Sequence, residues 1–384
     1  MESPITTATD PAVAAPDIRE SVETPARGPA GWVQRVGSFL DERTGLSALR
    51  YAVPEHANRF WYTLGGITFI GLLVLVATGM WLAQFYNPDP SAARESVIYI
   101  QTKAPFGDII RGIHVWTAYM VSITALLHMI RVFVTAAYKR PREFNWFIGL
   151  AMFVLLLFGA VFTGSVLRWD QEAFEALEHN TATAQLFGQI GNFFSGGFTA
   201  STSILPRLYI AHISLVPLML FVLLVAHIFL IKRHGISPLP QQADAGLAPN
   251  GQLPKALQKA SYTTHLRVMM GYGLALVAVA GLLSLLVPLP IGPAPDPSME
   301  VTKPAFLFYW AYAFEDWFGI KGILYSAAGL FGLLALVPLI DFSRYRGIRG
   351  WRIVLVALGA LLLIALIGLS IMVALQPPAK HLGM

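Results

Sequence analysis

The chain contains no cysteine, which excludes disulfides, iron–sulfur clusters held by thiolates, and any prosthetic group anchored through thioether bonds. Charge is scarce as well. Only 13% of its 384 residues are Asp, Glu, Lys or Arg, against 55% hydrophobic, a balance that excludes an ordinary soluble domain. A helix crossing a hydrocarbon core of ~30 Å needs about 20 apolar residues with few charges. Runs of that kind lie near 61–86, 107–137, 146–167, 205–232, 268–291, 319–340 and 351–375, seven candidate membrane helices in an all-α integral membrane protein.

The few charges are unevenly placed. Lys139, Arg140 and Arg142, then Lys232, Arg233, Lys255 and Lys259, then Arg344, Arg346, Arg349 and Arg352 put eleven basic residues in alternate loops. Arg94, Lys103, Arg168 and Lys303 are the four in the other loops. Basic loops stay on the cytoplasmic side or its topological equivalent, here the n-side, so the N-terminus belongs on the n-side and the C-terminus on the opposite p-side. The net charge of +5 and a pI near 9.4 therefore report topology and give no reason to expect nucleic acid as a partner.

Residues 1–31, rich in Ala, Pro, Thr and Glu without an apolar run, read as a disordered tail and not as a signal peptide, leaving insertion to the first helix. The polar stretch from Ser237 to Thr264 holds Pro238, Pro240, Gly246, Pro249, Gly251 and Pro254. It marks an n-side linker over 238–264 that divides a four-helix module, 32–237, from a three-helix module, 265–384. Four helices are the fewest that enclose a cofactor on all sides, so the first module is the expected carrier. On the p-side, the loop from Arg168 to Pro206 is too long for a turn, and Gln171–His179 mixes Phe and Leu with Glu at helical spacing, which predicts a short interfacial helix.

Two membrane helices each carry a pair of histidines, His114 with His128 in the second and His212 with His227 in the fourth, spaced by 14 and 15 residues. At 100° and 1.5 Å per residue each pair returns to within about 40–60° of one helix face, ~21–22 Å apart along the axis. The second and fourth helices run parallel, so His114 faces His212 near the p-side and His128 faces His227 near the n-side. Facing imidazoles suit the two axial positions of a haem iron, and with no cysteine the haem is non-covalent. A single intramembrane histidine is often only a hydrogen-bonded core residue, but four in matched pairs are harder to account for that way. His56, His179, His234, His265 and His381 fall in loops, helix ends or the tail, where solvated or interfacial roles are the default. Gly65 and Gly79 in the first helix and Gly149 and Gly164 in the third repeat the 14- and 15-residue separations and give backbone room for a flat ring. Arg111, Arg131 and Arg207, near these histidines, are candidates to pair haem propionates; the competing reading is snorkelling at the interface.

The segments YTLGGIT, RGIHVWTA, LLHMIRV, YKRPREFNW, GSVLRWDQ, PRLYIAH and AHIFLIKRHGIS, in order across 60–237, resemble cytochrome b of the quinol:cytochrome c and plastoquinol:plastocyanin oxidoreductases. The 15-residue spacing in the fourth helix is that of the plastid-type branch, and 265–375 looks like that branch's separate subunit IV fused into one chain. The resemblance implies a four-helix di-haem bundle plus three C-terminal helices, two non-covalent haem b groups, and quinol as substrate. It also implies a Rieske iron–sulfur protein and/or a cytochrome c subunit as partners, a homodimeric complex surrounded by membrane lipid, and a bacterial cytoplasmic membrane as location. Trp169 and Asp170 keep the family pattern after the third helix. Thr63 stands where the plastid family has the Cys that tethers an extra n-side haem.

A further departure falls where the family carries a PEWY motif whose Glu accepts a quinol proton. Counting from Pro304 puts Tyr309, Trp310, Ala311 and Tyr312 on the motif, and an ungapped count from Asp296 puts Phe306 to Tyr309 there. Both lose the acid, which should slow quinol oxidation by roughly 10²–10⁴. Glu315 and Asp316 are the nearest acids and the candidate catalytic residues, against a reading in which they mark an interfacial helix end facing water. Three functions follow. One is a di-haem conduit in a quinol-oxidising complex. Another is a di-haem subunit coupling a different oxidoreductase to quinone at the n-side without a normal p-side site. The last is a transporter or channel using intramembrane histidine, for which the sequence offers neither broken helices nor an inverted repeat.

Overall fold

The computed structural model describes residues 29–45, 51–199 and 201–382. The tail expected over 1–31 lies outside the described residues as far as residue 28. Pro29–Thr44 is a helix, α1, in a unit of its own ending at Arg50; within it the Arg43 guanidinium lies over the Phe39 ring at 3.7 Å.

From Tyr51 onward the chain forms one compact unit. Its elements in order are β1 (Ala52–Val53), α2 (Phe60–Leu82), α3 (Ala93–Thr102), α4 (Gly107–Val134), α5 (Glu143–Val166), α6 (Gln171–Gln185), α7 (Ile204–His234), β2 (Ala260–Ser261), α8 (Tyr262–Leu286), α9 (Tyr309–Phe318), α10 (Ile320–Ile340) and α11 (Trp351–Leu375), with short helical turns between some of them. Seven helices, α2, α4, α5, α7, α8, α10 and α11, are long and apolar enough to cross a membrane, the number expected. Large apolar side chains such as Leu218, Phe221, Phe229, Leu361 and Ile364 stand exposed along α7 and α11, as lipid-facing surfaces require. The strands β1 and β2 pair antiparallel, Ala52 opposite Ser261. The interfacial helix expected over Gln171–His179 is present and longer, α6, started by Asp170, whose Oδ1 accepts the Ala173 amide at 3.1 Å. Helices α1 and α3 were not expected from the sequence pattern.

The linker at 238–264 does not separate two bodies. Helix α8 lies against α2 and α4, and small residues set the closeness. A Cβ on Gly66 would fall 2.2 Å from Met269 Sδ, and one on Gly112 2.0 Å from Ser284 Oγ. Helix α11 approaches α4 the same way, Gly359 sitting against the Phe133 ring. One polar cluster across the two modules is buried at its centre. Asp341 accepts from Arg352 Nη1 and from the Tyr138 hydroxyl, both at 2.6 Å, and its other oxygen lies 3.0 Å from Lys139 Nζ. Arg352 also donates to the carbonyls of Phe133 and Val134. Read as a loop charge in the sequence, Arg352 is in fact 0% exposed in the first turn of α11. Burial pushes the Asp341 carboxyl up, but the bonds from Tyr138 and Lys139 outweigh it and hold the group below its usual value.

Candidate functional site

Helices α4 and α7 place their histidines opposite one another at two levels. The rings of His114 and His212 lie 6.3 Å apart between centroids, inclined by 67°, and those of His128 and His227 lie 6.4 Å apart, inclined by 73°. Two imidazole–metal bonds of ~2.0–2.1 Å plus the two half-rings need roughly 6 Å, so each pair fits a single metal centre between its rings. His212 sits where α7 widens into π-helical turns over Ala211–Leu215, and α5 widens likewise over Leu155–Val161 just before Gly164. Such local widening re-aims side chains without ending a helix.

Each of the four expected glycines lies under one of the four imidazoles. An added Cβ would fall 3.0 Å from His128 at Gly65, 3.3 Å from His114 at Gly79, 3.6 Å from His227 at Gly149 and 2.7 Å from His212 at Gly164. A ladder of four His/Gly contacts of this kind is what a planar group clamped between α4 and α7 and flanked by α2 and α5 requires. The outer nitrogens are held too. His114 Nδ1 pairs with Thr78 Oγ1 at 2.9 Å and His212 Nδ1 with Thr163 Oγ1 at 3.0 Å, which leaves each Nε2 free as a ligand. His227 Nδ1 has the backbone of Asn145 nearby but closes no hydrogen bond. Gly164→Ala should therefore push His212 out of line and, if the pair holds a haem, remove most of one component of a difference spectrum, whereas Gly149→Ala, with ordinary contact distance, should be tolerated. Difference spectra of the two variants check this; equal losses, or loss only in the Gly149 variant, would contradict it.

The arginines divide. Arg131 joins the site, its Nη2 3.4 Å from His128 Nδ1 and its guanidinium 4.9 Å above the Tyr62 ring. Arg111 is tied to Leu289 O and Gln101 Oε1, and Arg207 to the carbonyls of Ser195 and Phe193. Both lie at the mouth of the upper pair's end of the bundle, held by loop carbonyls. Thr63 is buried, its hydroxyl donating to Phe60 O, with no group there capable of a thioether.

At the same end as His114, the acids are not where the sequence suggested. Glu315 does not face water: it is 1% exposed, and its Oε1 accepts from His179 Nδ1 at 2.6 Å. Asp316 Oδ1 meets His381 Nε2 at 2.9 Å. Glu300 lies 3.2 Å from His179 Nε2 and accepts the backbone amides of His381 and Leu382. Of the solvated or interfacial roles expected for them, His179 and His381 are thus not solvated, nor are His56 and His265, which are buried against Ser237 O and Asn58 Oδ1. Burial alone would push the His179 imidazole down, but the hydrogen bond and charge of Glu315, with Glu300 and Glu175 behind it, hold it above its usual value.

The two placements of the missing motif also separate. Trp310, Ala311 and Tyr312 are buried, and Tyr312 Oη donates to Ala379 O in the C-terminal segment. Phe306 and Phe308, by contrast, meet the first module, their rings tilted against Tyr119 at 4.8 Å and Phe158 at 5.7 Å. A carboxylate that the sequence reading passed over acts on the same region. Glu172 is ion-paired with Arg168 at 2.7 Å, is only partly screened from solvent, and its charge reaches both Tyr119 and Tyr309. Burial pushes its carboxyl up, and Arg168 reverses this only in part.

Several known proteins are similar to this chain. The family described as Cytochrome b/b6/petB matches residues 49–235. The menaquinol:cytochrome c reductase cytochrome b subunit of Bacillus subtilis (strain 168) is 36% identical over 221 residues, 53% of this chain and 98% of that protein. Cytochrome b6 of Heliobacterium mobile is 37% identical over 191 residues, 49% of this chain and 89% of that protein. A solved structure titled Hyperthermophilic respiratory Complex III shares the fold with a TM-score of 0.76, covering 90% of this chain and 93% of its own at 22% identity.

Proposed function

The chain belongs to the cytochrome b family, and from that premise we propose that His114 with His212, and His128 with His227, hold two non-covalent haem b groups, one near each membrane face. The protein is an integral membrane electron-transfer subunit of a quinol:cytochrome c-type oxidoreductase. The observation that carries the haem assignment is the set of four glycines, each directly beneath one imidazole. Haem, when bound, supplies a one-electron iron centre. The chain would hold one haem between His114 and His212, steadied through Thr78 and Thr163, and the other between His128 and His227, with Arg131 placing a positive charge beside that pair.

In this reading the loops rich in Lys and Arg lie on the n-side, the N-terminus with them, and the His114 level lies toward the p-side of a bacterial cytoplasmic membrane. Residues 32–237 form the haem module, 265–384 the subunit IV-like module, and 238–264 the n-side linker. A Rieske iron–sulfur protein and/or a cytochrome c subunit would take electrons on the p-side of a homodimeric complex in lipid. Arg111 and Arg207, at the p-side mouth, remain candidates for haem propionates.

Quinol oxidation needs a base at the p-side, and Glu172 supplies it. The quinol O–H bond breaks, its proton passes to the Glu172 carboxylate, and the electron passes to an acceptor of the complex. Arg168 holds in place the carboxylate, whose charge acts on Tyr119 and Tyr309, and Phe306 packs against Tyr119. A second reading keeps Glu315, with Asp316 behind it, as the base, because Glu315 Oε2 is buried with no partner and is free to accept. The haem proposal is tested by acid–acetone extraction of the purified complex. All b-type haem should leave the chain, at a stoichiometry of two; haem retained covalently, or one per chain, would overturn it. A chain with no b-type difference spectrum at all would be a transporter or channel instead.

A further inference from the structure

Glu300, Glu315 and Asp316 surround the rings of His179 and His381, and among the described residues none of the three carboxylates is paired with a lysine or an arginine. Even with both imidazoles protonated the cluster is short of positive charge. It is also almost closed to water: Glu315 and Glu300 are 1% and 3% exposed, and the His381 side chain 6%. Two buried atoms within it have no hydrogen-bond partner, Glu315 Oε2 and His381 Nδ1; the latter stands 3.6 Å from Glu300 Oε1, beyond hydrogen-bond reach. One ligand atom from each of His179, Glu315 and His381 lies within 4.8 Å of the other two. Unpaired buried carboxylate and imidazole atoms cost free energy unless a cation meets them.

We propose that this cluster is a binding site for one divalent transition-metal ion of the zinc class, ligated by His179, Glu315 and His381 with Glu300 alongside, and that the ion fastens the C-terminal segment onto α6 and α9. Two imidazoles with carboxylates select a borderline ion over calcium or magnesium, which take all-oxygen shells. A tetrahedral ion with bonds of ~2.0–2.2 Å keeps its ligands roughly 3.3–3.6 Å apart, so the three atoms need draw in by only about 1 Å. The ion would take the place of the proton that His179 now shares with Glu315. The surrounding shell is already built: Glu300 is fixed by the amides of His381 and Leu382, and Tyr312 Oη by Ala379. The three ligands come from α6, α9 and the last residues of the chain, so the ion would close a long loop. The proposal does not rest on the quinol reaction, and it competes with the second reading above, because the same Glu315 carboxylate cannot serve both as ligand and as free base.

The test reads metal content and not turnover, so its outcome is separate from that of the quinol base. The assembled complex, purified without chelator, should carry about one zinc-class ion per chain by element analysis, counted apart from haem iron, and His381→Ala or Glu315→Gln should weaken zinc binding by roughly 10–100-fold or more with the haem spectrum unchanged. Should these variants fail to assemble, the wild-type complex serves: stripping with dipicolinate should speed protease cleavage near Lys380, and added zinc chloride should restore protection. Wild-type complex that neither holds nor takes up zinc, an ion equally retained in the His381 variant, or tail cleavage indifferent to chelation would each overturn the proposal.

Discussion

His212→Ala and His114→Ala should each abolish the same b-type spectral component, and His128→Ala and His227→Ala the other. No other variants of the chain should change its spectrum so completely, because each removes one of two axial bonds and nothing nearby can replace it. Two imidazoles face each other across the gap at each level, and the glycine beside each offers no ligand. The pairing follows from helix direction. Helices α4 and α7 run parallel with α5 between them, so first histidine meets first and second meets second. A spectrum in which His114→Ala and His227→Ala erase one component, while His212→Ala erases the other, would refute the assignment. So would a variant that kept both haems at full intensity.

Glu172→Gln should slow quinol oxidation by the intact complex by roughly 10²–10⁴, the usual contribution of a positioned base, and Glu315→Gln should change it far less. The pH profile carries the sign. Only the deprotonated carboxylate can accept, and burial raises the pH at which Glu172 deprotonates, so the wild-type rate should climb as pH rises through that raised value and level off above it. The glutamine variant should lose this climb. If instead Glu315→Gln collapses the rate and Glu172→Gln leaves it untouched, the base lies on α9 and not on α6, and the Glu172 assignment falls.

The histidines and glycines were legible in the sequence because both constraints act along one helix axis. A polar residue in lipid stands out, and a repeat of 14 or 15 residues is read directly from the chain. The seven spans were legible for the same reason, since hydrophobic length is local. What stayed hidden depends on segments that meet only through the fold. Glu172 read as one more acid in an interfacial helix, and nothing in the sequence places Tyr309 beside it. His179 and His381 are separated by most of the second module, and their shared carboxylates lie on a loop and a helix between. Arg352 carries the plainest lesson: a basic residue next to a loop counts toward topology, yet this one is wholly buried, because a carboxylate at position 341 and a hydroxyl at 138 await it.

That last contact has a consequence for the order in which the protein can be made. Tyr138, Phe133 and Val134 are synthesised more than two hundred residues before Arg352, so the acceptors for its guanidinium exist while the final helix is still on the ribosome. An arginine presented alone to lipid is costly, by several kilocalories on insertion scales. Asp341 precedes it by one short loop, so the last two helices leave the ribosome as an ion-paired hairpin that is complete only when it reaches the end of α4. The earlier helices thereby act as the template that commits the late ones to the membrane, and a nascent chain halted before residue 352 would keep its four paired histidines but leave Asp341 without one of its three side-chain partners.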